Sequence, residues 1–274
     1  MKTKTRFFSI VIVALALLVA LTFVFAGCGK TEKVTLTGST SVAPLMRKLA
    51  AAYEKENKNV RISVGEGGSS QGVKDTQEGK NDIGMASRDL KDTETGLDKV
   101  QIAYDGVAVI INNQASIEGN NVTNEQLYAL YAHGTPIGSI TLPVSREDGS
   151  GTREAFDEKI ADADGNKLID LTEFASGTQY YNSTNLVMTD VAGNVSKLGY
   201  ISMGSLNDTV KAVRYNGVEP TVANVKNGTY KLQRPFMIVT KSGVELSKAA
   251  QDFIDFILSE AGQKIVAEEG YVAM

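Results

Sequence analysis

The 274-residue sequence predicts an α/β fold. Short strand-like runs alternate with helix-like stretches from Val34 onward. Hydroxyl- and glycine-rich turns sit repeatedly between a strand and a helix start. One apolar run, Val107–Ile111, has the continuous character of a strand buried on both faces. A β-α-β-α-β rhythm of this kind indicates layers of helix packed on sheet.

The elements follow in order. Val34–Thr37 is a short β-type run. Val42–Glu56 carries Leu45, Leu49, Ala52 and Tyr53 at helical spacing. Val60–Val64 alternates apolar and polar residues, as a half-exposed strand does. Gly72–Glu78 reads as a short helix and Ile83–Ala86 as a short strand. After Val107–Ile111, the polar stretch Asn112–Asn121 reads as a crossover. Thr123, with Gln126 three residues on, is a capping-box start for a helix. Ile140–Val144, Leu198–Ser202 and Phe236–Thr240 read as further strands. Leu246–Leu258 places Ala249, Phe253, Ile254 and Ile257 on one helix face.

The N-terminus is a different kind of sequence. Lys2, Lys4 and Arg6 precede a stretch without charge from Phe7 to Gly27, followed by Cys28. A basic start, an apolar run and small residues before a cut site make a secretory signal. The Cys after Ala26-Gly27 resembles the bacterial lipoprotein signal, with Phe25 where that signal usually has Leu. Residues 1–27 are therefore expected to be a signal peptide. Cys28 is then a lipidated N-terminus and residues 28–32 a tether holding the chain to the outer face of the cell membrane. A transmembrane anchor is the alternative, since the run is long enough to span a bilayer. Three of the 28 basic residues and none of the 32 acidic ones fall in this segment, leaving the rest of the chain at −7. That balance argues against nucleic acid as a partner. A single Cys permits no internal disulfide, and one His with one Cys leaves little for a His/Cys zinc cluster.

Three turns carry candidate chemistry. They are Gly38-Ser39-Thr40-Ser41, Gly65-Glu66-Gly67-Gly68-Ser69-Ser70 and Arg146-Glu147-Asp148-Gly149-Ser150-Gly151-Thr152. A helix start offers unpaired backbone N–H groups and the positive end of the helix dipole. Glycine lets backbone approach a ligand, and hydroxyls add donors. Three such ends converging suit a tetrahedral oxyanion, with Arg146 as the cationic fork. Asp148 adds an acceptor that favours an anion still carrying a proton. Each turn taken alone also reads as an ordinary N-cap.

The sequence resembles the phosphate-binding lipoproteins that serve bacterial Pst-type phosphate ABC importers. The resemblance runs through Leu36–Pro44, Gly68–Lys74, Asp82–Arg88, Val144–Thr152, Gly199–Ser202, Gly262–Val266 and Gly270–Val272. It implies a two-lobed type II periplasmic-binding-protein fold with mixed sheets, flanking helices and the ligand cleft between the lobes. The first lobe would comprise residues 33–111 and 234–274, and the second 112–233. Thr40, Ser41, Ser69, Ser87, Arg146, Ser150, Gly151 and Thr152 would hold phosphate, and Asp148 would orient Arg146 and face the anion. Ser87 stands where some relatives have Asp, the usual acceptor for the phosphate proton. The stretch His133–Leu142 is shorter than usual and lacks the common Trp. The expected partners are inorganic phosphate, permease subunits and the membrane, the expected state a monomer without cofactor. Sulfate, molybdate or tungstate is the alternative ligand.

Catalysis is not expected. There is no Gly-x-Ser-x-Gly elbow, and His133 is remote in sequence from every Ser-bearing turn, beside Gly134 at a helix end. Glu66 and Arg88 read as rim ion pairs, and Tyr180 and Tyr181 as packing. Asp162–Glu173 resembles an EF-hand calcium loop, with Asp162, Asp164, Asn166, Asp170 and Glu173 as ligands and Ile169 at its apolar position. Lys167 replaces the turn glycine. A polar surface loop gives the same pattern.

Overall fold

The computed structural model describes residues 31–274. Among them no helix is long and apolar enough to cross a membrane. The run Phe7–Gly27 and Cys28 lie outside the described residues.

The first part of the chain follows the expected rhythm. It comprises β1 (Glu32–Gly38), α1 (Ala43–Glu56), β2 (Val60–Glu66), α2 (Ser69–Gln77) and β3 (Ile83–Ala86). β1 pairs in parallel with both β2 and β3. β4 (Leu97–Asn112) is much longer than the five-residue run the sequence marks. Its first half is antiparallel to β11 (Gln233–Lys241), which also pairs with β3. Its second half is antiparallel to β8 (Lys197–Ser202) and β9 (Val210–Ala212). β8 continues in parallel into β6 (Leu142–Arg146), and β6 into β7 (Gln179–Tyr181). β5 (Asn121–Val122) and β10 (Arg214–Tyr215) form a separate parallel pair. The result is one curled mixed sheet, ordered β2-β1-β3-β11-β4-β8-β6-β7, with helices on its faces.

The remaining helices are α3 (Asn124–His133), α4 (Gly151–Asp157), α5 (Thr184–Ala192), α6 (Val222–Lys226), α7 (Lys248–Leu258) and α8 (Glu260–Glu268). The Thr123 capping box is present, and Gly134 closes α3 in the left-handed conformation. α7 buries Ala249, Phe253, Ile254 and Ile257, the face its spacing marks.

Two large hydrophobic clusters define the lobes. The first joins Val34, Leu36, Leu45, Leu49, Met85, Ile102, Ala103, Phe236, Phe253 and Ile257. The second joins Val107, Val109, Leu127, Tyr131, Phe156, Leu198, Tyr200, Tyr230 and Leu232. The chain therefore passes between lobes at residues 104–106 of β4 and 233–235 of β11. This corrects the expected break after Ile111. Val107–Ile111 ladders with β8 and packs in the second lobe, because a single uninterrupted strand of about 50 Å feeds both cores.

Candidate oxyanion site

β6 ends at Arg146, and its position is fixed from several sides. Tyr131 Oη donates to the Val144 carbonyl at 2.8 Å, and Ser145 Oγ lies 2.7 Å from Tyr200 Oη. Phe156 of α4 stacks on Tyr200 with ring centroids 3.9 Å apart. Arg146 is only 2 % exposed although it is a cation. Burial of a guanidinium requires that its donors be met. Nε donates to Glu147 Oε2 at 2.9 Å and to the Tyr181 carbonyl at 3.1 Å. Nη2 donates to Glu147 Oε1 and to Thr40 Oγ1, both at 3.0 Å. Nη1 reaches Thr184 Oγ1 at 3.4 Å.

Hydroxyls from both lobes converge there. Ser41 Oγ lies 2.8 Å from Thr152 Oγ1 and 3.2 Å from Thr184 Oγ1, across the cleft. Thr40 Oγ1 lies 3.3 Å from Thr184 Oγ1 and accepts the Thr184 amide at 3.4 Å. Ser69 Oγ accepts the Ser87 amide at 3.1 Å and lies 3.3 Å from Ser87 Oγ. Gly151 packs onto this pair: a Cβ there would sit 2.5 Å from Ser69 Oγ and 2.7 Å from Ser87 Oγ. Only glycine permits so close an approach. Ser150 is buried, and its oxygen caps α4 by accepting the Arg153 amide. All nine expected residues except Asp148 are thus brought to one buried region. A surface cavity of about 530 Å³, lined by Glu147, Asp148, Arg153, Phe174 and Tyr180, lies beside the hydroxyl ring and not over it.

Asp148 requires correction. Its side chain is 97 % exposed and pairs with Arg153 Nη1 at 2.6 Å. Glu147, not Asp148, orients Arg146. In this turn, which Gly149 continues at φ +84°, Glu147 stays against the strand end and Asp148 faces solvent. For Asp162–Glu173, the geometry favours the polar surface loop over the EF-hand resemblance. Among the described residues no group of three or more His, Cys, Asp or Glu lies together as a metal cage. Asp162 spends its carboxylate on Asn166 Nδ2 at 2.7 Å and on the amides of Asp164 and Asn166. Leu168 is buried, whereas Ile169, the expected apolar position, is 42 % exposed. Glu66 pairs with Arg47 at the surface, whereas Arg88 is buried and pairs with Glu94 and Glu154.

Three site residues escape the sequence reading, and Ser39, named with its turn, gets no role of its own there. Thr184 opens α5 behind its cap Ser183, and the signal was present as another hydroxyl pair ahead of an apolar helix face. Ser39 donates to Ser87 Oγ at 2.9 Å. Asp105 and Arg234 form a buried pair at 3.0 Å between β4 and β11. Their only local signal is a charge inside an otherwise apolar strand. Burial pushes the Asp105 carboxyl up and the Arg234 guanidinium down, while their mutual attraction opposes both shifts.

A two-lobed sheet with a buried, donor-lined site beside the strands that join the lobes defines a solute-binding protein. A family model described as a PBP superfamily domain matches residues 27–261. A Clostridium perfringens protein, described as a phosphate ABC transporter substrate-binding protein and solved with bound phosphate, is 38 % identical with a TM-score of 0.81. That match covers 89 % of this chain and 100 % of the other. An ABC-type phosphate transport receptor from Vibrio cholerae is 31 % identical with a TM-score of 0.68, covering 89 % and 100 %. Phosphate-binding protein PstS 2 of Streptococcus agalactiae is 44 % identical over 138 residues, 50 % of this chain and 46 % of that protein. In that match the chain spans about half the length of its relative. Phosphate-binding protein PstS of Staphylococcus saprophyticus is 28 % identical over 276 residues, 91 % of this chain and 83 % of that protein. The chain belongs to the PBP superfamily and, within it, to the Pst-type family of these relatives.

Proposed function

We propose that this chain captures inorganic phosphate outside the cytoplasm and delivers it to the permease of an ABC importer. The observation that carries the reading is the buried Arg146, ringed by Thr40 and Ser41 from one lobe and Thr152 and Thr184 from the other. Hydroxyls that now satisfy one another across the cleft would transfer their hydrogen bonds to the oxygens of a tetrahedral anion. Arg146 supplies charge-assisted bonds worth about 1.5–3 kcal/mol each. The chain's net negative charge gives no bulk attraction, so affinity comes from this local, preorganised set of donors. Binding from both lobes couples capture to closure, and release at the permease to opening. The relatives named for phosphate support the choice of ligand. Sulfate, molybdate or tungstate is the second reading. It draws support from the site itself, where the Glu147 carboxylate is committed through both oxygens to Arg146.

Titration calorimetry of the mature chain with phosphate tests the proposal. Arg146→Ala should weaken binding by at least about 100-fold with an unchanged circular-dichroism spectrum. Equal affinity in the variant would remove Arg146 from the site. Attachment of lipid at Cys28 is proposed from residues 1–28. Radiolabelled palmitate should enter the wild-type chain and not Cys28→Ser, and the variant should leave the membrane fraction. Label in both would refute the anchor.

A further inference from the structure

Ser87 sits fully buried at the corner of the ring nearest the strands that join the lobes. Its oxygen is approached by two donors from within the protein. Arg234 Nη1 donates to Ser87 Oγ at 3.1 Å. Ser39 Oγ donates to it at 2.9 Å. Ser39 is held in that direction, because its own oxygen accepts the amides of Ser41 at 3.2 Å and Val42 at 3.4 Å. A hydroxyl has two acceptor positions and one hydrogen. Both acceptor positions of Ser87 are occupied, and its hydrogen, which meets Ser69 Oγ at 3.3 Å in the closed ring, is what it can turn to an anion.

Arg234 cannot release Ser87 by turning. Its Nε and Nη2 donate to Asp105 Oδ2 at 3.2 and 3.0 Å, and Ser202 Oγ holds the other Asp105 oxygen at 2.9 Å. The two residues are register partners on β4 and β11, at the crossing between the lobes. A guanidinium stays protonated and only donates.

We propose that Arg234, held by Asp105, determines anion specificity by fixing Ser87 as a hydrogen-bond donor, so that this corner accepts an unprotonated oxyanion oxygen and disfavours a protonated one. The proposal rests on the ring being an oxyanion site. A P–O–H group placed at Ser87 would set hydrogen against hydrogen and lose one bond in a dry environment. The other charged groups around this corner offer it no free acceptor. Arg88, the next residue, is paired with Glu94 and Glu154. Across the cleft, both Glu147 oxygens hold Arg146. The site then selects for charge and shape, and phosphate binds best as the dianion. Sulfate, which carries no proton near neutral pH, competes.

The test is calorimetry of the mature chain with inorganic phosphate and with sulfate between pH 5.5 and 8.5. Phosphate affinity should rise about tenfold across that range, following its second ionisation, while sulfate affinity stays level and sulfate displaces phosphate. The charge-neutral double variant Asp105→Asn/Arg234→Gln frees Ser87 to accept, so the pH dependence should flatten and the preference for phosphate over sulfate should grow by about tenfold. Ser87→Asp, which retains the ion pair, should cut sulfate binding by about 100-fold and keep phosphate. Phosphate affinity that is flat or falls with pH, or sulfate that fails to compete in large excess, overturns the donor assignment and leaves phosphate binding standing. Wild-type selectivity in a folded double variant overturns the role of Arg234. No heat from either anion at any pH overturns the oxyanion site itself, and the specificity proposal with it.

Discussion

Asp157, at the end of α4, carries a carboxyl that burial pushes up to about 7, against the opposing attraction of Arg153. Its Oδ2 accepts Arg153 Nε at 3.2 Å, and its Oδ1 has no partner among the described residues. An unfolded aspartate releases its proton near pH 4. Between about pH 4 and 7 the folded state therefore holds one more proton than the unfolded state. By linkage, stability falls as pH rises through that window and levels off above it. Asp157→Asn should flatten this slope, worth on the order of 2–4 kcal/mol across the window, and melt no lower than wild type at pH 7.5. Thermal melts at pH 5, 6, 7 and 8 check this, and parallel curves for the two proteins would refute it. The same scale shows why Asp148 misleads. Neighbouring acids in Arg146-Glu147-Asp148 are chemically alike, and only the folded turn decides which one reaches the arginine.

At the scale of elements, α4 is the piece that brings the second lobe to the first. Its Glu154 meets Arg88 Nε at 3.1 Å and Lys91 Nζ at 2.9 Å, both from the segment after β3. Burial works against the charge of Arg88, but its bonds to Glu94 and the attraction of Glu154 outweigh that and hold its pKa above the ordinary value. The Ser70 amide also crosses the cleft, donating to the Gly149 carbonyl at 3.0 Å. These contacts form a latch outside the hydroxyl ring. Glu154→Gln should speed phosphate release roughly five- to tenfold with little change in association, because Arg88 keeps Glu94 and the fold is untouched. Stopped-flow dissociation measures this, and an unchanged off-rate would show that the latch does not contribute to closure. The elements themselves were largely legible. Local periodicity located β1–β3, α1, α7 and the capped start of α3. It missed the first half of β4, whose exposed Asp98 and Lys99 and mixed burial hide the alternation that marks a strand. It also missed α5, although Ser183 caps it as the sequence of a helix start requires.

For the whole molecule, β4 and β11 are both the link between lobes and the floor of the site. Asp105 and Arg234 face each other where the two strands pass from one core to the other, and Arg234 reaches Ser87 from there. An ion pair buried at that crossing joins the geometry of the lobes to the Ser87 hydroxyl. Breaking only one member would leave an uncompensated buried charge, which is why the neutral double substitution is the informative one. The sequence by itself determined the α/β layering, the hydroxyl-rich turns and the arginine at their centre, because periodicity, capping and turn chemistry act over a few residues. Tertiary structure alone decided which acid orients Arg146, where the lobes divide, and which donors reach Ser87. Those outcomes depend on contacts between residues up to 147 positions apart, and no local pattern records which lone pair a distant arginine will occupy.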